Sequence, residues 1–226
     1  WGDGKNPDNV YDSYVSTYLQ RDVRQILNIK DLSLFQKFLT IVASRVGNVF
    51  IASSIASELG VDYKTIQSWM SILETSYTAF LLQPFHRNIG KRLTKTPKIY
   101  FYDIGLVCHL LGIENEQHIK NHPLRGAIFE NMVVCEMLKR RYNKGLKSNL
   151  YFYRDQSAEV DVIQEEAGSI KAYEIKSAER FNQEFTKSLS YVQKLLGDEI
   201  SSSYIIYSGE EEMKFKNFSL INYHNL

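Results

Sequence analysis

The sequence predicts a mixed α/β chain in two parts, and three observations carry that expectation. Up to about residue 113, apolar residues recur mainly at helical spacing. Beyond residue 123, one strongly apolar helix gives way to short runs rich in β-branched and aromatic residues. Between them, residues 114–123 are polar and read as a linker. A chain of 226 residues can hold one large core or two smaller ones, so a division there is reasonable.

In the first part, Tyr14, Tyr18, Val23 and Leu27 mark an amphipathic helix over residues 12–29. Leu34, Phe35, Phe38, Leu39, Ile41 and Val42 mark a second over 32–45, ended by Gly47. A short extended piece at 49–51 leads into a helix over 53–59, stopped by Gly60. Asp62 is placed to cap the next helix, over 63–74. Two apolar runs, 77–82 and 98–102, then bracket a loop containing Pro84, Gly90 and Pro97, the layout of a hairpin with a long tip. A helical stretch over 104–111 closes this part. Helix, short helix, turn, helix and hairpin is the order of a winged helix-turn-helix, expected over residues 31–113. Residues 1–30 would be a linker and helix following another module. The chain opens in loop-like sequence without a methionine and is expected to be the C-terminal portion of a longer protein.

The second part, residues 124–226, starts with a helix over 124–141. Strands are expected at 150–154, 159–164 and 170–176, the last two joined by Glu165-Glu166-Ala167-Gly168. A helix over 181–196, a strand at 204–207 and a final strand at 218–223 complete an αβββαβ sandwich with an added edge.

Composition narrows the function classes. No apolar run approaches the ~20 residues of a membrane span, and the polar opening lacks the layout of a signal peptide. Cys108 and Cys135 read as buried free thiols, which fits a reducing cytoplasm and offers no metal-ligand spacing. A net charge of +1 neither demands nor excludes nucleic acid, but Arg87, Lys91, Arg92, Lys95 and Lys98 crowd into a dozen residues. On a wing they would contact phosphates without reading sequence, and Lys64, Thr65, Gln67 and Ser68 on helix 63–74 are suitable types for groove contacts. The alternative is a solvated hairpin tip.

Four charged residues, at three places along the chain, stand where structure alone does not favour them. Glu130 has Gly126, Ala127, Val133 and Val134 as its helical neighbours, a costly place for a carboxylate without a cation. Asp161 interrupts Val160-Asp161-Val162-Ile163, a strand context that disfavours aspartate. Glu174 and Lys176 flank Ile175, so strand alternation puts both on one face. Pairing of adjacent strands can bring Asp161 beside Glu174, and two clustered carboxylates attract a hard divalent cation. The structural alternatives are an exposed Glu174–Lys176 ion pair, a strand-end Asp161 or its pairing with Arg154, and a pairing of Glu130 with Arg125 or a linker lysine.

Glu130, Asp161 and Glu174-x-Lys176 in this order resemble the PD-(D/E)xK nuclease motif, with Val160 in place of the usual proline. The resemblance implies a restriction-endonuclease-like fold. It implies Mg²⁺ or Mn²⁺ held by Asp161, Glu174 and the Ile175 carbonyl, with Glu130 completing the metal site and Lys176 serving the water and phosphate. Tyr18-Leu19-Gln20-Arg21-Asp22-Val23, Arg87-Asn88-Ile89-Gly90-Lys91-Arg92, Pro97-Lys98-Ile99-Tyr100-Phe101-Tyr102-Asp103-Ile104-Gly105 and Arg125-Gly126-Ala127-Ile128-Phe129-Glu130 resemble the C-terminal region, of unknown function, of a prokaryotic AAA-type ATPase family. That resemblance implies an ATPase module preceding these residues. Gly2-Asp3-Gly4-Lys5 lacks the spacing and hydroxyl of a P-loop, so ATP chemistry is expected only in that module. Three functions follow. The first is a metal-dependent nuclease domain with a DNA-binding winged helix. The second is a non-catalytic DNA-binding or regulatory region that retains the fold, and the third a module that binds the ATPase or another protein.

Overall fold

The computed structural model describes residues 7–18, 32–85, 95–166 and 168–226. The chain is mixed α/β and divides into two compact units, Trp1–Leu81 with Ile99–Arg125, and Leu82–Lys98 with Gly126–Leu226. No helix among the described residues is long and apolar enough to cross a membrane.

The first unit is built from α1 (Pro7–Tyr18), α2 (Leu32–Ser44), α3 (Ala52–Leu59), α4 (Tyr63–Thr75), α5 (Ile104–Leu110) and α6 (Glu116–Asn121). Its core contains a trio of rings, with Trp69 5.3 Å from both Phe35 and Phe38. Gly60 adopts φ 67° and ends α3, a left-handed conformation that glycine takes without a side-chain clash. Asp62 caps α4 by accepting from the Lys64 amide at 2.7 Å. Strand β1 (Ala79–Leu82) pairs with β2 (Lys98–Phe101), and the division between units falls across the Leu82 and Lys98 end of this pair. The segment expected as a polar linker contains α6, because Asn115 accepts the His118 amide at 2.9 Å and starts a helix there. The expected helix over 12–29 is described only to Tyr18, and its remainder lies outside the described residues.

The second unit contains α7 (Arg125–Tyr142, nearly all of it), β3 (Leu150–Arg154), β4 (Glu159–Glu166), β5 (Ser169–Lys176), α8 (Lys187–Leu196), β6 (Ile200–Tyr207), β7 (Met213–Lys214) and β8 (Ser219–Asn222). One six-stranded sheet runs β3-β4-β5-β6-β8-β7. The β3–β4, β4–β5 and β7–β8 pairs are antiparallel, whereas β5–β6 and β6–β8 are parallel. The parallel step from β5 to β6 uses α8 as its crossover, and α8 packs Leu189, Val192 and Leu196 over Ile163, Ile170, Ala172 and Ile205. The expected helix over 181–196 begins instead with a 3₁₀ turn, Gln183–Thr186, capped by Asn182. β6 starts four residues earlier than expected, and the two-residue β7 was not anticipated.

Residues 83–85 belong to this second unit and lie along β3. Phe85 donates its amide to the Phe152 carbonyl at 2.7 Å, and Phe152 donates to the Gln83 carbonyl at 3.1 Å. The Phe85 side chain enters the core beside Tyr153 and Val160.

Candidate functional site

The β4–β5 ladder runs from Glu166–Ser169 to Val162–Tyr173. One step further lie Asp161 and Glu174, so the register places them opposite each other on one face. Here the side chain takes over from the ladder, as Asp161 Oδ2 accepts the Ile175 amide at 2.8 Å. Lys176, two residues beyond Glu174 on the same face, reaches Glu174 Oε1 at 2.6 Å and Asp161 Oδ2 at 3.8 Å.

This is a desolvated site. The side chains of Asp161 and Glu174 are 10% and 7% exposed, while that of Lys176 is 33% exposed. Glu174 Oε2 is buried and has no hydrogen-bond partner among the described residues. Burial, and then the charge of Asp161, push the Glu174 carboxyl up to about 8 against the pull of Lys176. Burial works against the Lys176 ammonium, but Asp161 and Glu174 beside it hold its pKa above the ordinary lysine value.

A second cation lies deeper. Lys98, at the start of β2, is 2% exposed, with Nζ 3.0 Å from Glu130 Oε1 on α7 and 2.5 Å from Glu159 Oε1 on β4. Its ammonium stands 5.5 Å from the centroid of the Phe152 ring. Arg154 Nε reaches the other Glu159 oxygen at 3.2 Å. Burial would release the Lys98 proton, but Glu130, Asp161 and Glu159 hold its pKa above the ordinary lysine range.

Residues 2–117, just over half of the chain, match the family described as Domain of unknown function (DUF8612). The chain belongs to that family. Residues 125–226 of this DUF8612 member also match a second description, Domain of unknown function (DUF4143). An uncharacterized protein of Mycobacterium tuberculosis and one of Mycobacterium bovis are each 30% identical to it over 203 residues, covering 88% of this chain and 44% of theirs. The DUF8612 chain therefore spans less than half the length of these curated relatives.

Of the residues singled out in the sequence, the structure brings Asp161, Glu174 and Lys176 into direct contact. Glu130 adds its charge to the field at Glu174 and Lys176 but has Lys98 as an ion-pair partner. Among the described residues, no group of three or more histidine, cysteine, aspartate or glutamate side chains is arranged to hold a metal ion. Arg154 pairs with Glu159 rather than with Asp161. On α4, Lys64, Gln67 and Ser68 are exposed and Thr65 is half-buried. Lys95 is exposed, and Arg87, Lys91 and Arg92 lie outside the described residues. Lys98 departs from the reading of a solvated basic loop. The signal for its burial was the apolar Ile99-Tyr100-Phe101 that follows it in a four-residue strand with every position buried.

Proposed function

We propose that the second unit is a metal-dependent phosphodiesterase of the PD-(D/E)xK type, acting on DNA, in a protein that also carries an AAA-type ATPase module. The observation that carries this reading is the Asp161–Glu174–Lys176 constellation at the end of the β4–β5 ladder, with one buried Glu174 oxygen left unpartnered among the described residues. That oxygen lies on a carboxylate opposite a second carboxylate, a donor set suited to a hard divalent ion. Asp161 and Glu174 would hold Mg²⁺ or Mn²⁺, with the Ile175 carbonyl as a further oxygen donor. The ion, when bound, supplies polarisation of the phosphate and a more acidic water. Lys176 is suited to the remaining task. Its ammonium is the most exposed of the three groups and stays charged, so it can turn from Glu174 toward the phosphate as negative charge develops there.

In the first unit, the exposed Lys64, Gln67 and Ser68 on α4 support a helix-turn-helix that contacts duplex DNA. The greater length of the mycobacterial relatives leaves room for the ATPase module.

The test is Mn²⁺ binding followed by thermal unfolding and by cleavage of duplex DNA. Metal at a hundredfold excess over its dissociation constant stabilises the binding state by about 2.7 kcal/mol. Asp161→Ala and Glu174→Ala should lose both the shift and cleavage, whereas Lys176→Ala should keep the shift and lose cleavage. A second reading, a non-catalytic module that retains this fold, draws on the lysines already paired with these carboxylates. It takes over if Mn²⁺ leaves the melting temperature unchanged.

A further inference from the structure

We propose that Lys98 is a fixed internal cation that holds Glu130 and Glu159 in place, so that the acidic site accepts one divalent ion, on Asp161 and Glu174, and not two. This assignment rests on the metal-site reading above and removes Glu130 from the set of metal ligands.

Four carboxylates share the region, and two lysines divide them. Lys176 contacts Glu174 and Asp161, while Lys98 contacts Glu130 and Glu159. The two ammoniums differ in freedom. Lys176 is one-third exposed and sits at the end of a strand, so it can change partners. Lys98 is 2% exposed, starts a buried strand, faces the Phe152 ring and has carboxylates within 3.0 Å on two different elements. Removing the buried ammonium from such contacts leaves Glu130, 15% exposed, and Glu159, 33% exposed, without their shared cation, which is unfavourable. Lys98 is therefore a permanent occupant of the position a second cation would take. Arg154, on the far oxygen of Glu159, holds that carboxylate from the other side. Lys98 acts through these carboxylates and touches neither substrate nor ion, so it is a positioning residue.

Calorimetric titration of the 226-residue chain with Mn²⁺, alongside electron paramagnetic resonance of the bound ion, decides the matter. The wild type is expected to bind one Mn²⁺ with the spectrum of an isolated ion. Glu130→Gln should still bind that one ion, because Glu130 pairs with Lys98 and is not among the ion's ligands. Lys98→Met should take up two ions and show the spectrum of a coupled pair. Loss of ion binding in Glu130→Gln, or a single ion in a folded Lys98→Met, overturns the assignment. Should Lys98→Met not fold, the Glu130→Gln titration alone decides it. If the wild type binds no ion, the proposed nuclease function falls separately. The role of Lys98 is then upheld if Lys98→Met gains an ion and overturned if it gains none.

Discussion

Tyr191, on α8, donates its hydroxyl to Asp155 Oδ2 at 2.8 Å across 36 residues of sequence. Asp155 follows β3 and gathers further donors: the Tyr153 hydroxyl at 2.6 Å and the amides of Ser157 and Ala158 at 2.7 and 2.9 Å. One carboxylate thus organises the β3–β4 turn and ties it to the helix that covers the sheet. Burial alone would raise its pKa, but these four donors bring it down to about 2. A carboxyl depressed on folding contributes stability that is full above its unfolded pKa and is lost as pH falls through the folded one. Asp155→Ala is expected to cost about 1–3 kcal/mol at pH 7. The difference from wild type should shrink as pH falls from about 4 toward 2, measured by urea unfolding at each pH.

Asp161 carries a structural duty as well as its proposed ionic one. Asp161→Ala leaves the buried Ile175 amide without its acceptor, an effect worth about 1–3 kcal/mol. Asp161→Asn keeps a side-chain oxygen for that amide and is expected to be the more stable of the two. Neither variant should show stabilisation by Mn²⁺. Comparing the two melting curves with and without metal separates the duties.

The turn after β6 is held at close quarters. A Cβ at Gly209 would lie 2.2 Å from the Glu179 carbonyl oxygen and 2.3 Å from the Tyr207 ring. Ser208 also donates its amide to the Ala178 carbonyl at 3.2 Å, tying this turn to the segment that follows Lys176. Gly209→Ala should therefore destabilise by about 1–3 kcal/mol, as overpacking commonly does. Denaturant midpoints at constant m-value would register it.

For nucleic acid, Lys64→Ala should weaken binding to unrelated duplexes about equally and reduce the salt slope by about one. Replacing Arg87, Lys91 and Arg92 together should flatten that slope further. Unchanged affinity in both variants, measured by anisotropy over a salt series, would place the contact surface elsewhere.

The alternation rule makes the shared face of Glu174 and Lys176 legible in the sequence, because strand geometry leaves a side chain only two directions. Asp161 was legible for the opposite reason, as a residue in conflict with its strand. Glu130 was recognised as needing a cation, yet its partner was not, since no local rule connects a helix with a lysine 32 residues earlier. Lys98 was grouped by sequence proximity with Arg87, Lys91, Arg92 and Lys95, and proximity in a charge run says nothing about which member is buried. Among the elements, α6 was hidden in polar composition, though Asn115 ahead of Glu116 was an available start signal. The early half of β6 was hidden by Ser201-Ser202-Ser203, whose strand conformation comes from pairing with β5 and not from propensity.

The second unit is discontinuous in sequence, since Leu82–Lys98 contributes to it from within the stretch that forms the first. This has a practical bearing on how the chain is cut. A fragment starting at residue 125, where the second family match begins, would leave behind residues 83–85, which lie along β3. The outer side of β3 would then offer unpaired amides and carbonyls, the kind of bare margin along which sheets join one another and precipitate. The same cut would discard Lys98 and leave Glu130 and Glu159 mutually repulsive. Such a fragment should be less soluble than a protein that retains the excursion, and supplying residues 82–98 as a separate peptide should restore its solubility.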